Sequence, residues 1–309
     1  MKTLKSILVI AGILVTTITA QTQEKDFPKL TGPYLGQKSP GITPEKFAPG
    51  IVSTDGHEFS CCFSPDGNEF YFARRDPTVG TVVMVSEVVN GVWTEPTAAP
   101  LGEEFTFEPF VTPDNKRLYF QTGRVVANAP QMVTVFVERT EKGWGAVQDP
   151  GDVFNPNKTM HISATLNSTI YTTDITGGGR TKVNNTVSGP GKECLGMIKL
   201  VKGKYEKLEK LGHPLNKGQR TMHPWIAPDE SYIIYAEEKP GEQMGSVLFY
   251  SFRKKDGTWN EPKEINLGIK ASMPFVTHDG KYLFFTSGEQ QKGDIYWVST
   301  KIIETVKPK

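Results

Sequence analysis

Apolar and polar positions alternate along this chain in short runs, punctuated by Pro, Asp, Asn and Gly, and no helical period persists. The clearest run is Phe63-Ser64-Pro65-Asp66-Gly67-Asn68-Glu69-Phe70-Tyr71-Phe72. It reads as strand, tight turn, strand. Pro65 presets φ, Asp66 hydrogen-bonds its own backbone, Gly67 tolerates positive φ, and Phe70-Tyr71-Phe72 opens a second strand. The arrangement recurs at 111–120 around Pro113-Asp114, at 226–235 around Pro228-Asp229, and at 276–285 around His278-Asp279. A degraded copy, 164–171, has Leu166-Asn167 at the turn. Five copies at a spacing of roughly fifty to sixty residues imply radially arranged or stacked units.

Each copy continues into an alternating strand, at 81–88, 132–138, 196–201, 246–252 and 294–299. In the first four units a Gly-aromatic turn follows, ending in Trp93, Trp144, Tyr205 and Trp259. Their shared repeat position predicts packing between units. A last short strand ends near Leu101-Gly102, Leu211-Gly212 or Leu267-Gly268. Four short antiparallel strands per unit make a blade, so the pattern predicts an all-β, five-bladed β-propeller. The fifth unit lacks its last strand. Pro44-Glu45-Lys46-Phe47-Ala48-Pro49-Gly50-Ile51 resembles Glu261-Pro262-Lys263-Glu264-Ile265-Asn266-Leu267-Gly268, so an N-terminal strand is expected to close the ring. The expected organisation is a signal peptide at 1–20, an N-terminal arm at 21–46, the propeller at 47–301 and a C-terminal tail at 302–309.

Composition changes this picture little. The first residues carry Lys2 and Lys5, a short apolar run from Ile7 to Val15, and Ala20 at a cleavage position. That run is too short for a membrane span, so a periplasmic or secreted protein is expected. The formal charge of +1 becomes about −1 once Lys2 and Lys5 are removed. Nothing in that balance points to nucleic acid, and a monomer is expected. Three cysteines, Cys61, Cys62 and Cys194, are too few for a disulfide framework. Buried thiols are expected, with a single bridge to Cys194 left open.

The x-Pro-Asp-Gly-x-x-hydrophobic-Tyr-Phe pattern resembles the WD40-like (PD40) repeats of TolB-type β-propellers over nearly the whole mature chain. Two copies depart from it, at Leu166-Asn167 and at His278. TolB itself carries a further N-terminal domain, for which this chain has no room. The resemblance implies the fold. It leaves function open, because such propellers serve as protein-binding platforms and as glycan-active enzymes. Some are lyases with a His-rich metal site, and five-bladed glycosidases use inner-strand carboxylates.

The innermost strand of each blade lines the channel. Counting six residues back from each turn Asp or Asn gives Ser60, Glu108, His161, His223 and Met273, a ring expected near one channel mouth. Glu108, His161 and His223 are the candidate metal ligands, a set that suits Zn, Mn or Fe. The second strand returns to the same face, where Arg74, Arg75, Thr122, Arg124, Asp174, Glu237, Glu238 and Ser287 are expected, and of these Arg74, Arg124, Asp174 and Glu237 are the candidate ligand-binding residues, with Glu108, His161 and His223. Two readings follow. The first is an exported binding module that takes a polar ligand, a glycan or peptide, or a protein partner at the channel mouth. The alternative is a glycan-active enzyme there, either a metal-assisted polysaccharide lyase or a glycoside hydrolase. Only Glu108 is clearly an inner-strand carboxylate, and a glycosidase needs two, so the binding reading leads.

Overall fold

The computed structural model describes residues 27–304 except 127, 177–180, 184–185, 189–192, 218–219, 239–245 and 290–291. The expected signal segment therefore lies outside the described residues, as do Gly177, Gly178 and Gly179 of the long loop in the third unit.

The chain is an all-β, five-bladed propeller. The innermost strands are Glu58–Phe63, Thr106–Val111, Thr159–Ala164, Thr221–Ile226 and Ser272–Val276. Each pairs antiparallel with the second strand of its blade: Glu69–Arg74, Arg117–Val126, Ile170–Asp174, Tyr232–Glu238 and Tyr282–Glu289. Third strands follow at Val82–Val89, Ala129–Thr140, Cys194–Ile198, Ser246–Phe252 and Lys292–Ser299. The long loop of the third unit carries a two-stranded hairpin, Thr181–Val183 with Thr186–Ser188.

The turns show why the repeat reads as it does. Ser64, Thr112, Thr165 and Thr277 each donate a side-chain hydrogen bond to the Asp or Asn two residues on, at 2.6–2.7 Å. The same hydroxyls accept the backbone N–H that re-enters the sheet, at 2.9–3.1 Å. Gly67 and Gly280 then take φ of +73° and +71°. The copy at Asn167 keeps this scheme, because an Asn oxygen accepts as an Asp oxygen does. In the fourth blade Ala227 has no hydroxyl, and Ser231 donates to Asp229 instead.

The ring closes through the N-terminal arm. Glu45–Lys46 pairs with the third strand of the last blade, Glu45 opposite Trp297 and Lys46 opposite Tyr296. The Phe47 N–H then reaches Ile295 O at 2.8 Å, as Ile265 N–H reaches Leu248 O in the fourth blade. Pro44 thus stands where Pro262 does, one residue from the register that the sequence similarity implies. Phe47 is fully buried, with its ring edge-on to Phe284 at 4.9 Å and to Trp297 at 5.1 Å. Farther upstream, Leu30–Thr31 adds to the first blade opposite Val92–Trp93. The arm therefore clasps both sides of the seam.

Elsewhere the Gly-aromatic turns join neighbouring blades. Trp144 Nε1 donates to Tyr71 of the first blade at 2.8 Å, and the Tyr205 hydroxyl meets that of Tyr119 at 3.1 Å. Arg139 lies over the Trp144 ring at 4.0 Å and pairs with Glu69 of the first blade. All three cysteines are free and buried, so no bridge forms to Cys194.

Candidate functional site at the channel mouth

The residue six before each turn Asp or Asn shares one unusual backbone state. Ser60, Glu108, His161, His223 and Met273 all have φ between +45° and +56°. In each inner strand the pairing register shifts at this point. A non-Gly residue in the left-handed region costs about 1–2 kcal/mol, and a bulge re-aims its side chain. Five such residues at equivalent positions make a ring built by the backbone, with a different side chain on each blade except for the two His.

In three of the five blades the N–H freed by the bulge is anchored on a side chain of the preceding blade. Ser60 N–H donates to Thr286 Oγ1 at 3.0 Å and His223 N–H to Thr173 Oγ1 at 2.8 Å. Gln121 occupies the matching place on the second blade, but His161 N–H goes to Glu108 Oε2 at 2.8 Å instead. Burial pushes the Glu108 carboxyl up to about 8, against the His161 N–H that stabilises its charge, with Glu193 adding to the rise. Burial likewise lowers His161 to about 3, so its ring is neutral. The His161 and His223 rings meet edge-on at 5.2 Å.

Among the described residues no group of three or more His, Cys, Asp or Glu side chains is placed to hold a metal ion. Glu108, His161 and His223 are therefore neighbours on a ring without forming such a set.

A cavity of about 790 Å³ opens at this end of the channel, and His223 and Met273 stand in its wall. Glu108 and His161 are buried outside that wall. Met132 and Met160 supply thioethers from two more strands, and Met222 a third from the strand of His223. Arg220 is clamped between two carboxylates. Its Nε donates to Glu193 Oε2 at 3.1 Å and its Nη1 to Glu238 Oε1 at 2.8 Å, and its Nη2 also reaches Glu193. On the opposite side His57 stacks on Phe59 at 5.0 Å and accepts the Gly293 N–H at 2.7 Å. Burial, reinforced by the charge of Arg75, holds His57 below its ordinary value.

The other sequence candidates stand outside this wall. Arg74 pairs with the buried Glu58 at 2.9 Å and donates to Ile51 O at 3.0 Å, which ties the seam loop down. Arg124 pairs with Glu103 at 2.5 Å. Asp174 accepts from Thr176 N at 2.9 Å and Oγ1 at 2.6 Å, closing its own turn. Glu237 is half-buried, and that burial raises its carboxyl. Strand parity accounts for the difference. Thr173 and Thr286 point toward the next blade's bulge, and two residues on, Ile175, Glu238 and Gly288 line the cavity. Arg74, Asp174 and Glu237 sit at the position between, where Ser287 alone reaches the wall. Counting in twos from the inward threonines selects Glu238. Arg220 stands three residues before the ring residue His223, as His57 and Lys270 stand before Ser60 and Met273, and all three line the cavity. Glu193 carries no repeat signal, since it follows the long loop of the third unit.

No protein-family model matches the chain, and no curated protein matches it. Solved structures do. The catalytic domain of a GH62 alpha-L-arabinofuranosidase from Coprinopsis cinerea aligns with a TM-score of 0.50 at 9% identity, covering 87% of this chain and 96% of that one. TolB from Acinetobacter baumannii aligns with a TM-score of 0.49 at 13% identity over 81% of this chain. The match spans about half of that TolB, 53% of its length. A gluconolactonase from Xanthomonas campestris aligns with a TM-score of 0.47 at 9% identity, covering 88% and 94%. At such identities the likeness extends to the propeller fold and no further. No helix among the described residues is long and apolar enough to cross a membrane.

Proposed function

We propose that this chain is an exported binding module whose channel-mouth cavity takes a polar ligand, a glycan or a peptide. One observation carries the reading. The cavity has a preorganised charged wall, with Arg220 held by Glu193 and Glu238, and among the described residues of that wall no pair of carboxylates is left free to divide acid and base roles. A glycosidase needs such a pair. Here both wall carboxylates bind one guanidinium, and Glu108 commits an oxygen to the His161 main chain. A volume of about 790 Å³ is within the range of ligand sites. Export rests on the basic and apolar start of the chain.

The test is a glycan array and a peptide array probed with the full chain, then with Arg220→Ala and Arg124→Ala. A binder is expected that loses at least tenfold in affinity with Arg220→Ala and keeps it with Arg124→Ala, which lies outside the wall. Equal losses, or none, contradict the reading. Product formed from any arrayed glycan replaces it with the enzyme alternative.

A further inference from the structure

The polar side chains in the cavity wall differ in what they have left to offer a ligand. Thr176, Ser246 and Thr286 own one hydroxyl proton each. Thr176 gives its proton to Asp174 Oδ1 at 2.6 Å, Ser246 to Ala271 O at 2.9 Å and Thr286 to the Met273 thioether at 3.9 Å. The Arg220 guanidinium is shared between Glu193 and Glu238. Ser272 and Ser287 offer hydroxyl protons that rotate.

His57 differs from all of these. Its Nδ1 accepts the Gly293 N–H at 2.7 Å, so that nitrogen carries the lone pair and the ring proton sits on Nε2. The ring is partly exposed in the cavity wall, and Nε2 has no acceptor among the described residues. Neighbours on every other side hold it in place. One face stacks on Phe59 at 5.0 Å, and Phe59 stands in the same wall. The His57 carbonyl accepts the Arg75 N–H at 2.9 Å. At Gly293 a Cβ would come within 3.0 Å of His57 Cε1 and 3.1 Å of Nδ1, so a side chain there would push the ring aside. Gly293 belongs to Lys292–Ser299, the strand that the N-terminal arm covers with Glu45–Lys46. Closing the seam therefore also fixes this donor. A donor held in advance binds without the cost of ordering it.

We propose that His57 is a ligand-binding residue of the cavity and donates its Nε2–H to a hydroxyl or carbonyl oxygen of the bound molecule. This contact rests on the cavity reading above and adds to it a fixed donor on the side opposite Arg220.

Two measurements test it. The first needs no ligand. The full chain, labelled with nitrogen-15, is read at neutral pH by long-range proton–nitrogen correlation, with His57 assigned by its loss in His57→Gln. The Nε2–H tautomer is expected, and the Nδ1–H tautomer overturns the proposal. The second is calorimetric titration of the tightest binder from the arrays into the unmodified chain, Arg220→Ala, His57→Gln and His57→Phe. Gln places an amide N–H where the imidazole Nε2–H stood. Phe keeps the stack on Phe59 and has no donor. His57→Phe is expected to bind roughly three- to tenfold more weakly, the loss of one neutral hydrogen bond, and His57→Gln to stay within about twofold of the unmodified chain. If Arg220→Ala weakens binding and His57→Phe does not, the cavity reading stands and the His57 contact is refuted. If His57→Gln binds as weakly as His57→Phe, the contact is refuted as well. A binder indifferent to Arg220→Ala removes both.

Discussion

The two ends of the channel repeat in opposite ways. At the turn end each blade has its own copy of one side-chain device: an Asp or Asn caps the turn, with a hydroxyl two residues earlier in four of the five. At the mouth end the blades share a backbone device instead, the left-handed bulge, and carry Ser60, Glu108, His161, His223 and Met273 on it. Where a side chain closes the backbone hydrogen bonds, its identity is constrained. Where the backbone makes the geometry, five positions carry four different side chains. That variety is a reason to look for function at the mouth.

The largest effect is expected at the seam. Removing residues 1–52 takes away Glu45–Lys46, Phe47 and the Leu30–Thr31 strand together. It opens the last blade and is expected to abolish cooperative melting in calorimetry. A transition unchanged in temperature refutes closure by the arm.

A smaller effect sharpens the turn end. Asp114→Ala removes the acceptor of Thr112 Oγ1 at 2.6 Å and of Lys116 N–H at 3.1 Å. A loss of about 1–2 kcal/mol in denaturant unfolding is expected, with Asn167→Asp near neutral because either residue accepts. Equal losses at both sites contradict the capping account.

The smallest effect concerns the mouth backbone. At Ser60, with φ of +45°, Gly removes the left-handed strain and Val worsens it. Ser60→Gly is expected to be the more stable of the two by about 2 kcal/mol. Equal stabilities contradict the bulge.

Much of this was legible in the chain. Five turn motifs sufficed for the blade count, and the missing fifth strand pointed to the arm. The ring positions also followed from counting back from the turns. Their left-handed backbone did not, because Ser, Glu and Met carry no marked preference for positive φ, and the enrichment of His there does not single out two of five histidines. The closing strand was legible to within one residue, since Pro44 matches Pro262 only when the Phe47 and Ile265 hydrogen bonds are superimposed. Parity on the second strand was readable in principle. Glu237 and Glu238 are adjacent, however, and nothing in their identity says which one faces Arg220. The Glu193 partnership joins residues across the long loop of the third unit, where no repeat offset applies.

The most direct measurement is a calorimetric titration of the tightest arrayed binder into the full chain, Arg220→Ala and Asp66→Ala. The account predicts that affinity falls at least tenfold with Arg220→Ala at the mouth and is unchanged with Asp66→Ala at the turn end. Binding that survives Arg220→Ala and is lost with Asp66→Ala would put recognition at the wrong end of the channel.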